Sequence, residues 1–451
     1  MNYIIYFLLT IIIIVFVHEF GHFITAKLTG MRVDTFTIGF GKRLFGWNKI
    51  TGFTFGDLPE DFDGQGNTDY RFSLLPFGGY VKIAGMIDES MDVKFLSAEP
   101  QPWEFRAQKT WKKAVVITGG VAMNVLLAFI VFWATNFFQP KQFYKANTVG
   151  YVTENSPFEK AGLQSHDKIL SVNGEQVIYW EDIYTKLFVD NIGKDINIKI
   201  DRNGKEENIF IKRNSLPTDM KKGLMLFPAG FIVAIDSVLN NSPAQAAGLK
   251  PGDVFLRLNN VPIFKDVQTT GIISSNKEKQ LPLVVMRGKD TLQLAVTPGA
   301  DGKIGIYFAE RFTGKVELKT YGFFESMYYG VTDIGKYTVL TITMLKNVIV
   351  GNIEFSSAFG GPVKIAQFAA KSADTGFTAF VFFLAMLSLS LAILNILPFP
   401  VLDGGHLVII LIEGLIKREI PVKVKVAIQN TGFVILILFM VFIIYNDIIS
   451  L

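Results

Sequence analysis

At four places the chain stays apolar for the length of a membrane crossing, over residues at about 3–26, 114–137, 377–397 and 430–450. A helix needs ~20 apolar residues to span a hydrocarbon layer ~30 Å thick, so four crossings are predicted. Between the windows the pattern changes. Thr35-Phe-Thr-Ile-Gly39-Phe40-Gly41 and Arg71-Phe-Ser-Leu-Leu-Pro-Phe77-Gly78-Gly79-Tyr80-Val-Lys-Ile alternate β-formers with turn glycines, which predicts strands and a hairpin apolar enough to dip into the membrane. A further stretch, Phe323 to Ile353, is interrupted by Asp333, Lys336 and Lys346, and the run from Tyr337 to Leu345 is too short to cross. It reads as an amphipathic helix lying on the outer membrane surface or packed on a soluble domain.

Composition agrees with a polytopic membrane protein: half of the residues are hydrophobic and 41 are Phe. The net charge of +4, with no clustered basic and aromatic stretch, excludes nucleic acid as a partner. There is no Cys, so disulfides, thiolate ligands and cysteine nucleophiles are excluded. Basic residues cluster at Lys109, Lys112 and Lys113 before the second window, and at Lys417, Arg418, Lys423 and Lys425 between the third and fourth. The two tails carry none, so the positive-inside rule places the short loops in the cytoplasm and both termini and the 138–376 segment outside. The first window lacks a basic leader and a small-residue cleavage site and is read as an uncleaved span.

The chemistry sits inside that first window, as His18-Glu19-Phe20-Gly21-His22. Helix positions i and i+4 differ by about 40° of rotation, so both imidazoles point to one place with Glu19 beside it. HExxH also arises by chance in soluble helices, but ionisable groups in a bilayer are costly and usually functional. The pattern suits Zn2+ held by His18 and His22, with Glu19 as the base that activates water. A catalytic zinc takes a third protein ligand. Spans one and three run the same way, so their C-terminal ends meet one membrane face, where Pro398 and Pro400 break the third helix and Gly404-Gly405 allow a tight turn. Asp403 is the candidate third ligand; otherwise it caps the helix that follows.

His18-Glu-Phe-Gly-His22 followed by Asn395-x-x-Pro-x-Pro-x-Leu-Asp403-Gly resembles the site-2 protease family of intramembrane zinc metalloproteases, in its bacterial branch with tandem PDZ domains. That resemblance implies His18, His22 and Asp403 as zinc ligands, Glu19 as catalytic base and Asn395 near the bound substrate. From the residues alone, Asn395 either bonds substrate backbone or steadies the broken helix end. The resemblance also implies that Gly39, Gly41, Phe77, Gly78 and Gly79 line the substrate path. A strand edge there would satisfy the backbone of an unwound substrate; the other reading is a small sheet that plugs the domain. Gly119-Gly120-Val-Ala-Met-Asn124 resembles a family motif on span two, with Asn124 near the site. His406 falls outside the triad and reads as a cap or a supporting group.

An internal repeat occupies the long outer segment. Asn155-Ser-Pro-Phe-Glu-Lys-Ala-Gly162-Leu163-Gln-Ser-His-Asp167 aligns with Asn241-Ser-Pro-Ala-Gln-Ala-Ala-Gly248-Leu249-Lys-Pro-Gly-Asp253 at constant spacing. Each copy resembles the helix, turn and strand of bacterial PDZ domains, which take peptide or protein ligands at a sheet edge; exclusion of untrimmed ectodomains is the other role. Glu354-Phe-Ser-Ser-Ala-Phe-Gly360-Gly361-Pro362 marks a turn before span three, either coupling the outer domains to the spans or simply linking them.

The expected fold is therefore a polytopic α-helical membrane protein of four transmembrane helices with a membrane-associated β-sheet, plus two extracytoplasmic PDZ domains built as α+β, partly open barrels. The divisions are 1–28 (first span), 29–113 (cytoplasmic β-region), 114–137 (second span), 141–225 and 226–312 (PDZ domains), 313–376 (membrane-surface helical linker), 377–403 (third span), 404–429 (cytoplasmic amphipathic helix) and 430–451 (fourth span). The expected activity is hydrolysis of transmembrane segments of single-pass proteins, such as anti-sigma factors or remnant signal peptides, in a bacterial plasma membrane and in contact with membrane lipid. Two rivals stand beside it: a membrane zincin whose third ligand is a downstream Glu, Glu354 or Glu413, and a catalytically inactive PDZ scaffold.

Overall fold

The computed structural model describes residues 2–59, 62, 64–86, 99–191, 194–212, 226–350 and 360–449. The chain divides into two units, one formed by Met1–Gln139, Tyr321–Val348 and Glu354–Leu451, the other by Pro140–Thr320 with Ile349–Ile353.

Among the described residues of the first unit, four helices are long and apolar enough to cross a membrane, over Tyr3–Leu28, Thr110–Phe138, Phe377–Asn395 and Val422–Asp447. We label its helices α1 (Asn2–Leu28), α2 (Thr110–Phe138), α3 (Phe323–Ile349), α4 (Pro362–Thr375), α5 (Phe377–Asn395), α6 (Asp403–Ile416) and α7 (Val422–Ile449). The segment expected as one amphipathic helix over 404–429 is instead α6, a turn, and the first turns of α7. Lys417 ends α6 in the left-handed region at φ 51°, and the Pro421 carbonyl accepts the first bonds of α7 from Val424 and Lys425. Lys423 and Lys425 thus belong to the helix, where long stems let charged heads reach the interface.

Small residues let α1 and α2 cross closely. A Cβ on Gly21 would lie 2.2 Å from the Gly119 carbonyl oxygen, and one on Gly119 would lie 2.6 Å from that of Gly21. Ala128, Val131 and Phe132 of α2 then pack with Ala385, Leu389 and Ile393 of α5, and Ser388 Oγ donates to the Asn124 carbonyl at 3.0 Å. The interrupted stretch after the repeats is indeed helical, as α3, and it packs on α2. Gly330 abuts the Trp133 backbone, Asn136 Nδ2 donates to Asp333 at 2.8 Å, and the Tyr337 ring meets Phe132. Its polar stripe therefore has a partner on the bundle.

Three antiparallel strands fill the region after α1, in the order β2 (Gly52–Phe55), β1 (Val33–Asn48), β3 (Asp69–Ile83). β3 bends so sharply that Thr35 pairs with Lys82 on one side and Asp69 on the other, leaving the first half of β1 between the two ends of β3. Ala26 of α1 and Val116 of α2 share a buried cluster with Val33, Phe36, Val81 and Ile83, which seats the sheet against the spans.

The second unit repeats one local design. Ser156 and Ser242 each cap a short helix by accepting from the backbone N–H three residues on, and Gly162 and Gly248 follow at φ 97° and 78°. Asp167 is held by two bonds from Arg202, and Asp253 by two from Arg287, all at 2.7 Å. Burial pushes the Asp253 carboxyl up, but the Arg287 guanidinium outweighs it and leaves the group below its ordinary range. The second copy forms a sheet in the order Asp290–Val296, Leu281–Arg287, Val254–Leu258, Phe231–Val238, Ile306–Phe312.

Candidate metal centre

α1 carries His18 and His22 on one face, and α6 begins with Asp403 just beyond the broken end of α5. The loop between them bends at Val401, φ 80°, and packs tightly: a Cβ on Gly404 would lie 2.3 Å from the Ile396 carbonyl oxygen, and one on Gly405 2.2 Å from that of Phe399. Glycine is required at both positions for α6 to start here. Leu402 stands at the N-cap position of α6 without a side-chain bond to it, and Asp403 falls in the first turn. Its carboxylate points at the imidazoles.

The three side chains converge. His18 Nε2 lies 3.2 Å and His22 Nε2 3.5 Å from Asp403 Oδ2, and the two Nε2 atoms are 3.3 Å apart. Four ligands about 2.0–2.1 Å from a tetrahedral zinc sit ~3.3 Å from one another, so the triangle has the edge length of such a site. Protonation argues the same way. His22 Nδ1 donates to the Val116 carbonyl at 2.9 Å, leaving the Nε2 lone pair facing inward. His18 Nδ1 lies 3.1 Å from the Asn124 side-chain nitrogen, while the buried Asn124 Oδ1 has no partner among the described residues. A half-turn of the amide puts Oδ1 against Nδ1–H and satisfies both atoms, fixing the His18 tautomer with its Nε2 lone pair inward. Two imidazole lone pairs and a carboxylate oxygen then face each other, and buried Asp403 Oδ2 has no aligned hydrogen-bond partner among the described residues. Three acceptors at this spacing fit a metal cation.

Helix α2 backs the centre. A Cβ on Gly120 would fall 2.5 Å from His22 Nε2 and 2.7 Å from His18 Cε1, so only glycine lets α2 lie against both rings. The motif resemblance had drawn attention to Gly119, Gly120 and Asn124; the Val116 carbonyl depends on how two helices cross and leaves no local pattern.

A cavity of about 70 Å3 opens beside the triad, lined by His18, Glu19, His22, Tyr80, Val81, Ile83, Met86, Val401, Asp403 and His406. Glu19 is thus next to the ligands. Asn395, the last residue of α5, brings its amide nitrogen to 3.4 Å from His18 Nε2. Of the β-region glycines, Gly79 comes nearest, since a Cβ there would meet the Glu19 side chain at 3.5 Å. Gly39 (φ 91°) lies against the Ser73 and Leu75 carbonyls, Gly41 (φ 86°) has open space, and Gly78 lies under the Phe40 ring. These three shape the sheet without lining the cavity, and the Phe77 side chain lies outside the described residues. Tyr80, of the same Arg71–Ile83 patch, does line it, and its hydroxyl accepts a bond from Arg71. His406 lines the cavity too, with Gln429 Nε2 3.4 Å from its Nε2. Glu413 is taken by Lys425 at 2.6 Å and by the Ile420 N–H at 2.7 Å, and Glu354 lies outside the described residues.

Comparison with known proteins matches residues 6–439 to the profile of Peptidase family M50. A Vibrio cholerae protein provisionally named a zinc metalloprotease is 32% identical, over 98% of this chain and 97% of its own length. The regulator of sigma E protease of Haemophilus influenzae is 28% identical, over 99% of this chain and 98% of its own, and the regulator of sigma-E protease RseP of Escherichia coli is 28% identical over 98% and 97%.

Proposed function

The chain belongs to peptidase family M50 and is a zinc-dependent intramembrane metalloprotease, and from that premise we propose that His18, His22 and Asp403 hold the zinc, Glu19 moves the proton, and the substrate is a transmembrane segment of a single-pass protein. The observation that carries the assignment is the triangle of three acceptor atoms at 3.2–3.5 Å. When bound, the metal supplies a Lewis acid that acidifies water and polarises the scissile carbonyl. Glu19 takes the proton of the attacking water and delivers it to the leaving nitrogen. Asn124 and the Val116 carbonyl hold the rings so that no reorientation is needed during the reaction.

A membrane-spanning substrate hides its carbonyls in its own helix and must unwind locally before it can be cut. The end of β3 at Gly79–Ile83 lies against the cavity through Tyr80, Val81 and Ile83, and an extended segment added beside it would have its backbone satisfied while its carbonyl faces Glu19. Asn395 is suited to steady that carbonyl. The relatives' names point to regulated proteolysis, with anti-sigma factors or remnant signal peptides as the substrate class. The matched design of the two repeats supports PDZ domains outside a bacterial plasma membrane, taking peptide ligands or screening ectodomains by size.

The test is zinc content and cleavage of a model single-pass substrate by purified wild type, Asp403→Asn and Glu413→Gln. Wild type and Glu413→Gln are expected to hold one zinc and cleave, with cleavage abolished by a chelator and restored by zinc; Asp403→Asn is expected to lose both. Full zinc in Asp403→Asn, with loss in Glu413→Gln, would give the third ligand to the rival zincin arrangement. No cleavage by wild type, with or without added zinc, would favour the scaffold.

A further inference from the structure

Strand Ile306–Phe312 ends the main sheet of the second repeat, with a neighbour on one side alone among the described strands. Its Glu310 stands opposite Val233, whose side chain is buried in the core of the repeat. Opposite residues share a face, so the carboxylate points inward, to the side where helix Asp266–Ser275 adds Ile273 to the same core. A carboxylate there needs partners. Lys265 Nζ donates to Glu310 Oε2 at 2.8 Å, and the Asp266 backbone N–H donates to Oε1 at 2.8 Å. Both oxygens thus bridge from the edge strand to the first turn of the helix.

A second acid crowds this bridge. The Asp266 carboxyl is itself hydrogen-bonded to Glu310, and two carboxylates that close hold together with a proton between them. Burial, and then the charge and hydrogen bond of Glu310, push the Asp266 carboxyl above its ordinary range, against the pull of the Val267 N–H and Lys265. Burial pushes Glu310 up as well, but the bonds from Lys265 and the Asp266 N–H outweigh it and leave Glu310 below its ordinary range. Helix Trp180–Thr185 of the first repeat brings two more acids, Glu181, pushed up by burial, and Asp182 beside it. Glu181 accepts from the Tyr144 N–H at 3.2 Å, Tyr144 packs on Phe231 with centroids 4.8 Å apart, and Lys265 Nζ lies 3.9 Å over the Phe231 ring. Among the described residues, Lys265 is the cation that Glu181, Asp266 and Glu310 share.

We propose that Lys265, Asp266 and Glu310 form a pH-sensitive latch that holds the edge strand to helix Asp266–Ser275 in mildly acidic surroundings and slackens as the pH rises. Folded Asp266 keeps its proton to higher pH than unfolded Asp266 does. The stabilisation is therefore complete below the ordinary aspartate value of about 4 and is lost as pH rises through the folded value. Above it, two carboxylates face each other across one ammonium. Glu310, held charged, keeps its own bonds throughout that range. An unpaired strand edge is where an extended peptide adds to a sheet, so the latch sets the pH at which this edge is held rigid.

The test is hydrogen exchange of the full-length protein at pH 5 and pH 7.5, read as protection factors corrected for the intrinsic exchange rate. Asp253 stays charged at both values. In wild type, Ile306–Phe312 and the start of helix Asp266–Ser275 are expected to be roughly threefold or more better protected at pH 5, with Asp290–Val296 at the opposite edge of the sheet unchanged. Asp266→Asn donates to Glu310 at either pH and should keep the high protection at pH 7.5. Asp266→Ala should lower protection at pH 5 to the wild-type level at pH 7.5, and it carries the test if Asp266→Asn fails to fold. Equal protection of wild type at the two pH values overturns the proposal, as does a difference that survives in either folded variant. A change of the same size at Asp290–Val296 overturns it too, because the whole repeat would then be responding.

Discussion

The roles proposed for Glu19 and for the three metal ligands can each be removed separately. Glu19→Gln keeps size and hydrogen bonding but cannot take a proton, so zinc content should stay at the wild-type level while the cleavage rate falls by about 10²–10⁴-fold. Unchanged turnover by the zinc-loaded variant would remove Glu19 from the reaction. Gly120→Ala tests the backing of the site without touching a ligand. Its new methyl would press on both imidazoles, with the nearest contact at 2.5 Å, and overpacking of that kind costs about 1–3 kcal/mol. The expected result is weaker zinc binding, read by competition with a chromogenic chelator, in a chain that still inserts. Residue legibility follows from sequence distance. HExxH was readable because its partners lie within one helical turn, and Asp403 because proline and glycine punctuate its loop. Val116 was not, because a backbone carbonyl has no signature of its own.

At the scale of elements, periodicity and length found each span, while the limits of helices depended on caps and packing partners. α7 begins at Val422, earlier than its apolar run suggests, because Pro421 supplies the first acceptor. α3 was legible as an amphipathic helix, but its neighbour was not, since only the folded bundle shows Gly330 against Trp133 and Asp333 bonded to Asn136. Two carboxylates make elements testable. Asp447 of α7 is buried and accepts from the Gly361 and Lys364 N–H groups at 3.0 and 3.2 Å, tying a sparsely packed span to the first turn of α4. Asp447→Asn should weaken this tie by about 1–3 kcal/mol, with faster hydrogen exchange at the start of α4; protection equal to wild type would show that the tie contributes nothing. Asp253 gives a pH dependence. Its folded carboxyl titrates below the ordinary value because Arg287 holds it charged, so its stabilisation is complete above pH ~4 and is lost as pH falls through the folded value. Exchange protection of strand Val254–Leu258 in the whole chain should therefore drop on acidification, and in Asp253→Asn that drop should flatten.

At the scale of the whole molecule, the metal centre and the membrane topology constrain each other. His18 and His22 lie toward the C-terminal end of α1, and Asp403 lies just past the C-terminal end of α5. Their atoms meet at 3.2–3.5 Å, which requires both helices to finish on the same face of the membrane. With α2 as the intervening return, we propose from the charge pattern that this face is the cytoplasmic one, since Lys109, Lys112 and Lys113 precede α2 and Lys417 and Arg418 follow α6. The absence of cysteine makes this directly measurable, because any introduced thiol is the only one present. Exposed positions serve as reporters: Ser274→Cys in the second repeat, Lys49→Cys in the turn between β1 and β2, and Arg418→Cys after α6. A membrane-impermeant maleimide applied to intact spheroplasts should label Ser274→Cys alone, and the other two should react only after the membrane is opened. Labelling of Arg418→Cys from outside would invert the protein and place the candidate zinc ligands near the outer face.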